Sequence, residues 1–335
     1  DWESGMVIGG HSTFGMFDGD IAEIIYYNRH INTAQRTIIE NYLSTKYNIS
    51  ISNDKYAFDT DHPNGLAGIG REDASNYHTA TQSEGILRVK NASSLDNGDY
   101  LLVGHDNASM ATWATSETPN GGTNIKRLAR EWRMDETGNI GTLTFGIDTS
   151  SLPAKPVGFD HYAILVDQDG DFSAGANIHP MTLNNGYYEA STIDISDGDH
   201  LAIAIYKPVV QFTDTASNNF EPISPANIEV SLNYSLNENV DVQYEVTGGT
   251  ATSGDDYTLS NGTISIPAGS SAAYISPEIA NDIHVETDET ITLRLYNPSN
   301  GVELGADSLF TYTINDDDNP RKVEFSSTSV TRNED

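Results

Sequence analysis

Asp282-Ile283-His284-Val285-Glu286-Thr287-Asp288-Glu289-Thr290 runs straight into Ile291-Thr292-Leu293-Arg294-Leu295-Tyr296, an acid-dense run ending in a strand that alternates apolar and polar residues. The same pattern extends in both directions. Ile228 to Leu232, Val240 to Val246, Gly262 to Ile266, Ala272 to Ile275 and Leu309 to Ile314 read as further strands. Acids gather at strand edges again in Asp255-Asp256 and Asp316-Asp317-Asp318. Between Val210 and Asp318 there are eighteen Asp and Glu residues and one basic residue, Arg294. Carboxylates this dense raise one another's pKa unless a positive charge sits among them. A bound cation supplies that charge, and an all-oxygen ligand set points to Ca²⁺.

Upstream, Ser52 to Tyr206 carries short apolar-alternating runs at Ile86 to Val89, Tyr100 to Val103, Leu143 to Ile147, Tyr162 to Val166 and Leu201 to Tyr206. Asn97-Gly98, Asn120-Gly121-Gly122, Asp169-Gly170, Asn185-Gly186 and Asp197-Gly198 punctuate them, the spacing of an antiparallel β-sandwich. Further back, Asp20 to Tyr27 reads as a strand. Asn32 to Tyr47 reads as the one helix: Asn32 is the N-cap, Gln35 closes a capping box, Ile38, Ile39, Tyr42 and Leu43 keep helical spacing, and Asn48 ends it. One strand and one helix cannot bury a core, so residues 1–50 read as the tail of a domain. The fold class expected is all-β, tandem antiparallel β-sandwiches with one short helix near residues 33–47. The expected divisions are 1–50, 52–208, 209–318 and 320–335.

The last division rests on a repeat. Val210-x-Phe212 recurs as Val323-x-Phe325, and Glu221 recurs as Glu334, each nine residues after its Phe. A unit opening twice in this way implies a tandem array of sandwiches of about 110 residues each.

The formal net charge of −32 excludes nucleic-acid phosphate as a partner and disfavours an anionic membrane surface. No run approaches the length of a membrane-spanning helix, and Asp1-Trp2-Glu3-Ser4 lacks the features of a signal peptide, so the sequence reads as an excerpt. The absence of cysteine removes disulfides, thiolate metal sites and Cys nucleophiles. With abundant Thr, Ser, Asn, Tyr and Gly, it fits a secreted or cell-surface protein.

Four ordered blocks identify the third region by resemblance: Gly249-Thr250-Ala251-Thr252-Ser253-Gly254-Asp255-Asp256-Tyr257, Gly262-Thr263-Ile264-Ser265-Ile266-Pro267-Ala268-Gly269, Asn281 to Thr290, and Thr313-Ile314-Asn315-Asp316-Asp317-Asp318. The region resembles a Calx-beta domain, an immunoglobulin-like sandwich that binds Ca²⁺. The resemblance implies ligands at Glu221, Asp256, Asp282, Glu286, Glu289, Asp316, Asp317 and Asp318, with a backbone carbonyl near His284. Asn281 stands where the family has an Asp, which keeps an oxygen and removes a charge. The same acids read without the resemblance are solvated loop and edge-strand charges.

Phe17-Asp18-Gly19-Asp20-Ile21-Ala22-Glu23-Ile24-Ile25-Tyr26-Tyr27-Asn28-Arg29, with the helix ending Glu40 to Tyr47, resembles the C-terminal end of a LamG-type, concanavalin-like jelly roll. The middle region is similar to an uncharacterised module that follows such jelly rolls in secreted Bacteroidetes proteins, through Leu66 to Ser75, Gly98 to His105, Arg130-Glu131-Trp132-Arg133 and Leu165 to Phe172. Neither resemblance brings an activity.

Asp167, Asp169 and Asp171 could surround one Ca²⁺, but Phe172 and Ile178 fall where an EF-hand needs Gly and Glu, so a turn between strands is the preferred reading. Trp132 between Arg130 and Arg133 reads as core sooner than as a glycan platform. No His-x-x-x-His, Gly-x-Ser-x-Gly or phosphate-binding Gly-rich loop is present, and an enzyme is not expected. The function expected is a Ca²⁺-binding structural or adhesive segment of a large secreted or cell-surface bacterial protein. Its partners would be neighbouring domains of the same chain and cell-surface glycans or proteins. The alternative is a carbohydrate-binding accessory region of a secreted polysaccharide-active enzyme.

Overall fold

The computed structural model describes residues 18–318, together with 10–11, 15–16 and 331–332. The expected second repeat, with Val323, Phe325 and Glu334, lies outside the described residues.

Alternation builds the middle unit. A seven-stranded sheet runs in the order Asn177–Pro180, His161–Asp167, His200–Tyr206, Ile125–Thr137, Tyr100–His105, Asn64–Arg71, Tyr77–His78. A five-stranded sheet runs Thr182–Asn184, Tyr187–Ile193, Leu143–Ile147, Leu87–Lys90, Ala80–Ser83. All pairings within the two sheets are antiparallel. Their facing residues, among them Leu101, Trp132, Ile164 and Ile203 from the larger sheet and Leu87, Phe145 and Ile193 from the smaller, form one core. Asn185 and Gly186, both at positive φ, make the two-residue turn of a hairpin. Trp132 is core as expected, 1% exposed, with its indole N–H donating to Ser83 Oγ at 3.3 Å.

The helix Thr33–Tyr47 forms as read. Asn32 and Gln35 make the reciprocal capping box, and Asn48 ends the helix in the left-handed conformation. Its buried face, Ala34 and Ile38, packs with Tyr56, Leu66, Tyr100 and Leu102 on the outer face of the larger sheet. The helix is thereby part of the middle unit's packing. The strand expected at Asp20–Tyr27 is not formed. That segment has no ladder partner among the described residues, and Ile21, Ile24, Ile25, Tyr26 and Tyr27 are 38–70% exposed. A β-pattern becomes a strand only when a neighbouring edge takes its N–H and C=O groups.

The third unit is a second sandwich. One sheet runs Ala272–Ile275, Ile228–Leu232, Val209–Phe212, Glu303–Leu304, and the other runs Ala216–Phe220, Leu309–Asn315, Glu289–Tyr296, Val240–Gly249, Gly262–Ile266. Its first strand switches sheets between Phe212 and Ala216, and both halves pair in parallel, with Glu303–Leu304 and Leu309–Asn315 respectively. The remaining pairings are antiparallel. The fold class is all-β, as expected.

The two sandwiches touch directly. The Tyr206 and Tyr234 rings meet edge to face with centroids 5.5 Å apart. Lys207 pairs with Glu303, and the Asn237 side-chain amide donates to the Pro180 carbonyl at 3.2 Å. No helix among the described residues is long and apolar enough to cross a membrane.

Candidate metal centre

Strand register assembles the acid loops at one end of the third unit. Leu309–Asn315 runs antiparallel to Glu289–Tyr296 with Ile314 opposite Glu289, which sets Asp316 against the loop before Glu289. The Glu286 amide accordingly donates to Asp316 Oδ1 at 3.1 Å, and the Asp316 amide to Asp288 Oδ1 at 3.3 Å. Ala216–Phe220 runs parallel to Leu309–Asn315 with Phe220 opposite Asn315, so Glu221 arrives beside them. Tyr257–Thr258 pairs with Glu278–Ile279, and the Ala280 amide donates to the Asp256 carbonyl at 2.8 Å, which brings Asp256 to the same end. Asp256 sits in a turn with Gly254 at φ +96° and accepts from the Thr252 amide.

Six of the eight expected ligands line one small pocket: Glu221, Asp256, Asp282, Glu286, Glu289 and Asp316. Two triads within it or at its edge, Glu221–Asp282–Asp318 and Asp256–Glu286–Glu289, each offer three oxygens within 4.8 Å of one another. Asp317 is exposed and belongs to neither triad, and Asn281 is exposed as well. Asp255 and Thr287 also line the pocket. Reasoning from the motif passed over both, although Asp255 is half of the acid pair that flagged the loop. His284 lies on the same loop, its amide donating to Asp282 Oδ1 at 2.7 Å and its Nδ1 3.2 Å from Asp282 Oδ2.

The pocket is electrostatically strained as protein alone. Glu221 is 6% exposed, and burial followed by the charges of Asp282, Asp316 and Asp318 pushes its carboxyl above the usual range, against one hydrogen bond from the Asp282 amide. Burial, then the hydrogen bond and charge of Asp256, push Glu289 up to about 7. Burial and Asp316 likewise raise Asp318, whose Oδ2 is buried with no hydrogen-bond partner among the described residues. Arg294 does not relieve this, since it lies five residues along the strand from Glu289, ~17 Å away, and pairs with Glu245. Converging oxygens with an orphaned carboxylate atom, and no Lys or Arg beside them among the described residues, are a donor set that fits a hard divalent ion.

Asp167, Asp169 and Asp171 form a turn between strands. Asp167 Oδ1 accepts from the Asp169 and Gly170 amides at 2.9 and 2.8 Å, and Gly170 has φ +85°.

The third unit is thus an immunoglobulin-like β-sandwich with its acid loops collected at one end. Residues 206–318 match the family model of the Calx-beta domain, and residues 35–199 match that of a domain of unknown function (DUF8202). The sodium/calcium exchanger Calx of Drosophila melanogaster is 39% identical over 77 residues, which is 23% of this chain and 8% of the exchanger. Adhesion G-protein coupled receptor V1 of Danio rerio is 31% identical over 117 residues, 34% of this chain and 2% of the receptor. The chain therefore spans less than a tenth of either relative. Among solved structures, the apo-form Calx CBD1 domain is 30% identical with a TM-score of 0.31, covering 33% of this chain and 98% of that one. The calcium binding domain CBD12 of CALX1.1 is also 30% identical at a TM-score of 0.31, covering 32% and 46%. The family match and the likeness to the exchanger support a Calx-beta domain at residues 206–318.

Proposed function

We propose that this chain is a Ca²⁺-binding structural or adhesive segment of a large secreted or cell-surface bacterial protein. The observation that carries the reading is the convergence of two carboxylate triads from four separate loops at one end of a sandwich, with no Lys or Arg of the described residues among them. Glu221, Asp256, Asp282, Glu286, Glu289, Asp316 and Asp318 would supply the oxygens. The chemistry is coordination, not catalysis.

Asp316 to Asp318 are also the last residues before the chain continues towards the expected next repeat. An ion held there removes the repulsion between that segment and the Asp282 and Glu286 loop, and fixes the direction in which the chain leaves the sandwich. The segment would then work mechanically, as a stalk or array whose joints stiffen in Ca²⁺, joined to neighbouring domains and presented to surface glycans or proteins.

The test is the thermal midpoint of the chain in Ca²⁺ and in chelator. A ligand that binds only the folded state raises it. An unchanged midpoint at millimolar Ca²⁺ leaves a spacer without a metal.

A further inference from the structure

The middle unit carries a second constellation of a different chemistry. On its larger sheet, Ala202 pairs with Glu131 and His200 with Arg133, so Glu131 and His200 are diagonal neighbours on the face turned away from the sandwich core. The turn before Asn64–Arg71 closes over that face and brings His62 down beside them. The rings of His62 and His200 lie with centroids 5.4 Å apart. One ligand atom from each of His62, Glu131 and His200 falls within 4.8 Å of the others.

Three features mark this as a built site. His62 is 6% exposed, and among the described residues no protein group hydrogen-bonds either of its ring nitrogens; His200 Nδ1 is buried and faces only the Glu131 carboxylate, beyond hydrogen-bond distance. A buried imidazole ordinarily finds at least one partner. Next, Glu131 is oriented from behind: Arg127 Nη1 holds its Oε1 at 3.0 Å, leaving Oε2 turned to His200 Nδ1 at 3.6 Å. Two ligands on a tetrahedral ion with bonds of about 2.0–2.1 Å sit roughly 3.3 Å apart, close to that separation. Ligating carboxylates at such centres are ordinarily hydrogen-bonded from behind in this way. Finally, the turn is fastened to the sheet. The Tyr56 phenol donates to the His62 carbonyl at 2.8 Å, and a Cβ on Gly104 would stand 2.3 Å from that carbonyl and 2.4 Å from the phenol oxygen. Only glycine at 104 lets the turn come this close.

The neighbouring cation does not compete for the space. The Arg133 guanidinium carbon lies over Phe58, 3.8 Å from its centroid, with Nε donating to the Gly198 carbonyl at 3.3 Å. Two imidazoles and one carboxylate suit a borderline first-row ion, whereas the all-carboxylate pocket of the third unit suits a hard one.

We propose that His62, Glu131 and His200 form a binding site for a divalent transition ion of the Zn²⁺ class, which pins the turn at His62 to the seven-stranded sheet.

The experiment is metal analysis of the untagged chain after equilibration with Zn²⁺ in excess Ca²⁺, with the electronic spectrum of the same protein loaded with Co²⁺. The expected result is one Zn²⁺ per chain, lost in His62→Gln and in His200→Gln but kept in Asp282→Asn/Glu289→Gln. Cobalt should give the intense visible bands of a four- or five-coordinate nitrogen-ligated ion. Retention of Zn²⁺ by both histidine variants, its absence from the unaltered chain, or the weak spectrum of six-coordinate cobalt would each overturn the assignment. The cobalt spectrum is read on unaltered protein, so it decides even if a variant fails to fold.

Discussion

The backbone N–H of Glu286 donates to Asp316 Oδ1 at 3.1 Å across thirty residues of sequence, joining the loop before one strand to the loop after its neighbour. An ion shared by these loops does by coordination what this bond does weakly. Removing one carboxylate from either triad should therefore weaken Ca²⁺ binding, while removing one that belongs to neither triad and does not line the pocket should not. Asp282→Asn and Glu221→Gln are expected to lower affinity tenfold or more by calorimetric titration. Asp317→Asn should stay within about twofold. Saturation at a hundred times Kd should stabilise the chain by ~2.7 kcal/mol. Equal losses in all three variants would mean that bulk charge, not the triads, binds the ion.

The Glu289–Asp256 contact gives this end of the sandwich a pH dependence with a definite sign. Glu289 is pushed up to about 7, above the ordinary value of 4.5. Between those values the folded chain binds more protons than the unfolded one, so in chelator the contribution of this group to stability falls as pH rises from about 4.5 to 7. Ca²⁺ binding requires the ionised form and strengthens across the same window. Thermal midpoints at pH 5, 6, 7 and 8, with and without Ca²⁺, should diverge with rising pH. Glu289→Gln should flatten the chelator curve over that range; an unaltered slope would place the titration elsewhere.

Much of this architecture is legible in the sequence because its signals are local. Asn32 and Gln35 announce the helix start, Asn48 its end, and Asn185-Gly186 a two-residue turn, each through chemistry completed within a few residues. The acid clusters mark the loops that converge. Asn64–Arg71 is a strand that the sequence hides. Gly65, Gly68 and Gly70 break up the apolar alternation that marks the other strands, yet a Cβ at Gly68 or Gly70 would meet Leu102 or Tyr100 side-chain carbon at 2.3 or 2.1 Å. Those glycines make room for large side chains from the next strand, a demand set by tertiary packing. Asp20–Tyr27 fails in the opposite direction, having the β-pattern without an edge to pair with. The His62–Glu131–His200 group has no spacing signature at all, since its members come from a turn and two strands far apart in the chain.

Gly104 offers a test of how the turn at His62 is seated. Gly104→Ala places a methyl group against the His62 carbonyl and the Tyr56 hydroxyl. Overpacking of this kind costs roughly 1–3 kcal/mol, and here it should lift the turn bodily. Denaturant unfolding should show the loss, and amide exchange at His62 and Asn64 should rise. Tyr56→Phe/Gly104→Ala should recover part of the stability if the hydroxyl is the obstacle, and none if the carbonyl alone is.

The contact between Tyr206 and Tyr234 decides whether the two sandwiches unfold together. Both rings are buried, at 1% and 7% exposure, and Tyr206 ends the last strand of the middle unit, while Pro208 immediately precedes the first strand of the third. The linker is thus only two residues long, and the Lys207–Glu303 pair and the Asn237–Pro180 hydrogen bond flank it. A partly exposed ion pair of this sort adds ~0.5 kcal/mol, so the junction rests on its buried apolar cluster, in which Tyr206 and Tyr234 meet. Tyr234→Ala should cost about 3 kcal/mol and separate one calorimetric transition into two, with only the lower one moving in Ca²⁺. Lys207→Ala should leave a single transition. If Tyr234→Ala also melts in one step, cooperativity runs through the short linker itself and the ring contact is incidental to it.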